Sequence, residues 1–152
     1  MKIRSLFATT CALTLLNAAV LADDVTEILL KPDATNPLMY DKKAITAKAG
    51  AKVKITLENK SAIPQPHNLL ILKPGSKDKV IALANAMLTD PNAMAKDYIP
   101  ESTDILHHTK LIQPGQSGSL EFTLPDEAGE YPYLCTFPGH SILMNGILTV
   151  TK

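Results

Sequence analysis

Val53, Ile55 and Leu57 alternate with Lys52, Lys54, Thr56 and Glu58 in an unbroken period of two. That is the pattern of a strand with one face on a core and the other in water. Leu120, Phe122 and Leu124 repeat it over Ser119 to Leu124. Gly129 to Cys135 and Gly146 to Thr151 read as two further strands, and Val25 to Leu30 and Ala44 to Ala47 as two earlier ones. His67 to Leu72 is a short apolar run stopped by Pro74-Gly75, as in a strand inside a sandwich. Ile105 to Ile112 is a strand closed by a Pro114-Gly115 turn.

The middle of the chain changes period. From Asp78 to Leu88, the residues Val80, Ile81, Ala84, Met87 and Leu88 recur at spacings of three and four, which predicts a helix. Asp90-Pro91 interrupts it, and a second short helical turn is predicted over Pro91 to Lys96, so the helical insertion covers about 78–97. Seven to eight short strands with one insertion predict an all-β fold, an antiparallel β-sandwich with Greek-key connections. Asn59 to Pro66, with two prolines, is a loop leading into His67. No internal repeat, low-complexity segment or domain linker divides the chain.

Residues 1–22 have the form of a secretory signal: Lys2 and Arg4 precede an apolar stretch from Leu6 to Leu16, and Val20-Leu21-Ala22 is a small-residue cleavage site. Threonines and Asn17 break that stretch too often for a membrane span of about 20 apolar residues. The expected mature domain is 23–152, periplasmic or secreted, with no membrane span after cleavage. Losing Lys2 and Arg4 leaves 13 basic residues against 15 acidic ones. A weak negative balance excludes nucleic acid as a partner, since phosphate binding needs a basic stripe. The lysines at 42, 43, 48, 52 and 54 and the acids Asp126, Glu127 and Glu130 read as solvated strand faces. Cleavage also removes Cys11, so Cys135 is left without a disulfide partner in an oxidising compartment. Ligation to a metal would protect such a thiol.

The chemistry gathers at the C-terminal end, in Cys135-Thr-Phe-Pro-Gly-His140-Ser-Ile-Leu-Met144. A thiolate, an imidazole and a thioether within ten positions suit copper, and His67 supplies a second imidazole from upstream. Two His and one Cys with a long axial Met is the ligand set of a blue-copper electron-transfer site. Phe137-Pro138-Gly139 is a turn that folds the chain back, so one loop presents three donors to a single point. Apolar Phe137, Ile142 and Leu143 would keep water from it. His107 and His108 are adjacent on a strand, point to opposite faces and cannot readily share a metal; they are expected to be structural or surface residues. Met39, Met87 and Met94 read as core.

The C-x4-H-x3-M spacing, the Cys-Thr-Phe-Pro-Gly-His stretch and Met-Asn-Gly ahead of the last strand resemble the copper loop of the cupredoxins, in the azurin-like branch that includes the auracyanins. Pro66-His67-Asn68, His108-Thr109-Lys110 and the preceding helical insertion are similar to that branch as well. The resemblance runs roughly from Ala44 to Val150. It implies one type 1 copper, with His67, Cys135 and His140 equatorial and Met144 axial. It implies a second weak axial oxygen at the Pro66 carbonyl, where azurin has Gly; proline keeps the carbonyl but fixes φ. It also implies a supporting role for Asn68, whose N–H points at the Cys135 sulfur and whose side chain ties to the Thr136 loop, next to Phe137. The disulfide that the family usually carries near its N-terminus has no counterpart.

The expected function is one-electron transfer, not catalysis. Paired as nucleophile and base, Cys135 and His140 lack a third orienting residue or an oxyanion-hole pattern. A copper oxidase needs more histidines than the four present. The expected partners are redox proteins, a cytochrome or an oxidoreductase, docking on an apolar patch of Phe137, Pro138, Ile142 and Leu143 around His140. The alternative is a periplasmic copper chaperone or buffer, which would use similar ligands but hand the ion on.

Overall fold

Alternation and turn residues together produce eight strands among the described residues: β1 (Thr26–Leu30), β2 (Ala44–Lys48), β3 (Lys52–Glu58), β4 (Leu70–Leu72), β5 (Ile105–His108), β6 (Ser117–Thr123), β7 (Gly129–Leu134) and β8 (Asn145–Thr151). Helix α1 (Lys77–Ala86) lies between β4 and β5 and runs into a 3-10 turn, Met87–Thr89. The structure, a computed structural model, describes residues 25–61 and 63–152. The signal segment read over 1–22 lies outside the described residues.

The strands form two sheets, β1-β3-β6 and β2-β8-β7-β4-β5. Their inner faces share one core, in which Val53, Ile55 and Leu57 of the first sheet meet Ile71, Tyr133, Leu148 and Val150 of the second. The architecture is the expected sandwich, but it is not wholly antiparallel. β1 runs parallel to β3 and β2 parallel to β8, whereas β3–β6, β4–β5, β4–β7 and β7–β8 are antiparallel. Each connection reverses the chain, so neighbours separated by an even number of connections run the same way. Periodicity along one strand carries no information about which strand lies beside it.

β4 is covered on both sides, which is why its sequence is apolar throughout. Ile71 faces the main core, while Leu70 and Leu72 pack with Leu134 and Val80 of α1. The helical insertion is therefore the outer cover of the five-stranded sheet.

Several boundaries differ from the sequence pattern. The strand expected from His67 begins only at Leu70, because the Asn68 carbonyl is taken by the Tyr40 hydroxyl and the Leu69 N–H by the Thr109 hydroxyl instead of by a neighbouring backbone. His67 instead makes an isolated bridge to Ile112, with N–H to carbonyl distances of 3.0 and 2.7 Å. The strand expected to continue to Ile112 ends at His108, since the Thr109 hydroxyl takes the Leu69 N–H at 3.0 Å in place of a carbonyl. The short helical turn expected over Pro91 to Lys96 is a series of turns with one helical bond, Lys96 N–H to the Asn92 carbonyl at 3.1 Å. Asp97 and Tyr98 adopt left-handed backbone, φ 54° and 53°, and Tyr98 N–H reaches back to the Ala93 carbonyl at 2.8 Å, which stops any helix there.

Candidate metal centre

Cys135 follows β7 and Met144 precedes β8, so the loop between them spans the end of that hairpin. Its backbone is closed locally. Cys135 N–H donates to the Met144 carbonyl at 2.9 Å, and His140 N–H to the Phe137 carbonyl at 3.0 Å. The second bond closes a turn with Pro138 at its first central position and Gly139, φ 80°, at the next, the residue requirement of a type II turn. Met144 N–H then donates to the His140 carbonyl at 2.8 Å, a further tight turn that brings the chain back to Cys135.

This geometry and the His67–Ile112 bridge bring His67, Cys135 and His140 together. Their donor atoms all lie within 4.8 Å of one another, and all three residues are buried. His67 Nδ1 is 3.2 Å from His140 Nδ1, which is 3.7 Å from Cys135 Sγ. A trigonal centre with metal–nitrogen bonds of about 2.0 Å and a metal–sulfur bond of about 2.3 Å separates its donors by roughly 3.5 and 3.7 Å. The observed spacing fits one soft metal ion with little movement. His67 Nε2 is buried and has no hydrogen-bond partner among the described residues.

Burial dominates the electrostatics. It pushes the Cys135 thiol up to about 12, although the backbone N–H groups of Asn68 and Phe137 donate to the sulfur and act the other way. It pulls His67 down to about 4, helped by the neighbouring His140, and it lowers His140 as well. Without a metal the site is therefore neutral near pH 7, a thiol and two uncharged imidazoles. A bound metal ion deprotonates a coordinating thiol outright.

Asn68 ties the centre to the rest of the fold. Its Nδ2 donates to Thr136 Oγ1 at 2.9 Å and to the Asp97 carbonyl at 2.8 Å, and its Oδ1 accepts the Thr136 N–H at 2.8 Å. Its own carbonyl accepts the Tyr40 hydroxyl at 2.7 Å. Asp97 is held in turn, because its Oδ1 accepts the Leu111 N–H at 2.9 Å. Next to it, the Tyr98 ring stands edge-on to Phe137 with centroids 5.4 Å apart, and Phe137 lies 4.9 Å from the His140 ring. Tyr40, Asp97 and Tyr98 carry no chemistry-bearing spacing, which is why sequence reasoning missed them.

Gln65 was missed too, and it touches a ligand directly: its Oε1 is 3.0 Å from His140 Nε2. Only its position two residues before His67, between Pro64 and Pro66, could have drawn notice. Met144 is fully buried and its backbone adjoins Cys135. Pro66 is half-buried, as are Phe137 and Pro138, while Ile142 and Leu143 are 73% and 43% exposed. His107 and His108 stand outside the cluster; the His107 ring stacks on Phe122 at 4.1 Å.

Residues 26–151 match the family of copper binding proteins described as plastocyanin/azurin. Auracyanin-A of Chloroflexus aurantiacus is 37% identical over 114 residues, which are 74% of this chain and 67% of that protein. Its solved structure, described as that of a "blue" copper protein, superposes with a TM-score of 0.73 at 33% identity, covering 84% of this chain and all of the other. Azurin of Pseudomonas aeruginosa is 30% identical over 145 residues, 91% of this chain and 93% of that protein. The dithionite-reduced auracyanin of Roseiflexus castenholzii has a TM-score of 0.69 at 36% identity, covering 84% and 98%.

Proposed function

The chain belongs to the plastocyanin/azurin family of copper-binding proteins, and on that footing we propose that it is an exported electron-transfer protein with one type 1 copper. In this reading His67, Cys135 and His140 would hold the copper, with the Met144 thioether and the Pro66 carbonyl as weaker further donors. Bound copper supplies a one-electron Cu(I)/Cu(II) couple.

The chain's own residues do the rest. Buried donors already 3.2 and 3.7 Å apart need little rearrangement between oxidation states. The Asn68 and Phe137 N–H groups at the sulfur tune the potential. Ile142 and Leu143, exposed beside Phe137 and Pro138, form the apolar rim on which a redox protein, a cytochrome or an oxidoreductase, docks. Electrons pass through this rim, and the chain performs no chemistry on a substrate. It works in the periplasm or outside the cell once residues 1–22 are removed.

The observation that carries this reading is the convergence of one thiol and two imidazoles within 4.8 Å in a water-poor pocket. An optical and EPR titration of the chain with Cu(II), run beside Cys135→Ser, tests it. The expected result is an intense thiolate-to-copper band with small copper hyperfine splitting, absent from the variant. A pale, ordinary Cu(II) spectrum in the wild type would sink the electron-transfer reading. Copper lost within seconds to a chelator would point to the handover alternative instead.

A further inference from the structure

The outward nitrogen of His140 does not face solvent. It meets the Gln65 side chain, with Nε2 and Oε1 3.0 Å apart, and His140 is only 3% exposed. A carbonyl oxygen can only accept, so Nε2 carries the ring proton and Nδ1 keeps a free lone pair. That lone pair faces His67 Nδ1 and Cys135 Sγ. In the metal-free protein His67 Nδ1–H then donates to His140 Nδ1, and His67 Nε2, which has no partner, is a bare lone pair. With the amide turned the other way, the proton would move to His140 Nδ1 and leave a buried, unpaired N–H on His67. That would also put a proton on the nitrogen that faces Cys135 Sγ, whereas the structure sets the Gln65 oxygen, not its NH2, against His140 Nε2.

The backbone that launches Gln65 is itself held. Its N–H donates to the Ile63 carbonyl at 2.8 Å, and its carbonyl accepts from Asn59 Nδ2 at 2.8 Å. Asn59 is fully buried and anchored by its own N–H to the Gln116 carbonyl at 2.8 Å. Pro66 after it restricts Gln65 to extended backbone. Little freedom remains to be lost when the amide engages the ring.

From these contacts, and resting on the copper reading above, we infer that Gln65 is a positioning residue for His140. It selects the tautomer whose Nδ1 lone pair points at the metal and holds the ring in that orientation before metal arrives. It also covers the ligand edge that would otherwise face solvent. A redox partner at that edge therefore meets the Gln65 amide instead of the imidazole.

The test is a long-range ¹H–¹⁵N correlation spectrum of the metal-free full chain, which reports ring tautomers directly, on the wild type, Gln65→Ala and Gln65→Glu. The expected outcome is a single His140 tautomer protonated at Nε2 in the wild type. Gln65→Ala should give a mixture, and Gln65→Glu, which keeps an acceptor, should restore the single form. Copper affinity of Gln65→Ala should fall about tenfold, the lower end of what loss of an outer contact to a ligand costs. An unchanged tautomer and affinity in Gln65→Ala, with a normal blue band in both proteins, would overturn the role of Gln65 alone. A wild type without that band would remove the copper reading and the purpose of Gln65 with it.

Discussion

Asn68 and Thr136 hold each other by two reciprocal hydrogen bonds, Asn68 Nδ2 to Thr136 Oγ1 at 2.9 Å and Thr136 N–H to Asn68 Oδ1 at 2.8 Å. The pair joins the segment that carries His67 to the loop that carries Cys135 and His140. Both residues are buried, so no water stands ready to replace either bond. Asn68→Ala would orphan the Thr136 N–H and the Asp97 carbonyl, at about 1–3 kcal/mol each. The expected result is a stability lower by on the order of 3 kcal/mol in urea unfolding, with faster amide exchange at Thr136. Unchanged exchange at Thr136 would mean that the loop holds without Asn68.

Copper uptake should release about one proton per ion near pH 7. Cys135, held up near 12, is a thiol there, while His67, held down near 4, and His140 are neutral rings that each keep their one proton on the nitrogen away from the metal and release none. Calorimetry in buffers of different ionisation enthalpy reads the number. A value near zero would mean that the thiol does not ligate, and a value of two or more that an imidazole was charged beforehand.

The metal-free protein should lose stability on mild acidification. His67 titrates near 6.5 when unfolded and near 4 when folded, because the buried ring resists a charge. Below 6.5 the unfolded chain therefore binds a proton that the folded one refuses, so stability present above 6.5 is lost as pH falls towards 4. The loss between pH 7 and 5 is on the order of 1–2 kcal/mol, and His140 shifts in the same direction. Thermal melts of metal-free wild type and His67→Gln across that range check it: the variant should show the smaller slope, and equal slopes would assign the acid sensitivity elsewhere.

Gly146 has no room for a side chain. A methyl group there would run into the Tyr133 ring and hydroxyl and lie 2.7 Å from the Lys43 carbonyl. The ring cannot easily move, since its hydroxyl donates to the Lys42 carbonyl at 2.6 Å. Gly146→Ala should cost about 3 kcal/mol, read as a fall in melting temperature. A variant as stable as the wild type would show that the ring swings aside at little cost.

Leu143→Lys should slow electron exchange between copper-loaded molecules by about tenfold or more, because each encounter then brings like charges together on apolar rims. NMR line broadening in mixed Cu(I)/Cu(II) samples measures the rate. An unaltered rate would mean that electrons leave by another face.

Much of this is legible in the order of the residues. The period of two in Lys52–Glu58 appears unchanged as β3, because alternation is a local consequence of one face meeting a core. The loop from Cys135 to Met144 was legible for a similar reason: its ligands lie close along the chain, and Pro138-Gly139 dictates a tight turn between them. His67 could be picked out only through its residue type and its neighbours in sequence.

What tertiary structure alone decided is everything that depends on which strand lies beside which. The parallel pairs β1–β3 and β2–β8 follow from how the chain crosses between sheets, and the partition of β4 between core and helix follows from α1 folding over it. The 3.2 Å approach of His67 to His140, the Asn68–Thr136 clasp and the reach of Gln65 to His140 each join residues more than 65 positions apart. Side-chain periodicity and turn chemistry act over a few residues and were readable from order alone. Contacts across the sandwich depend on packing the whole chain, so they appear only once it has folded.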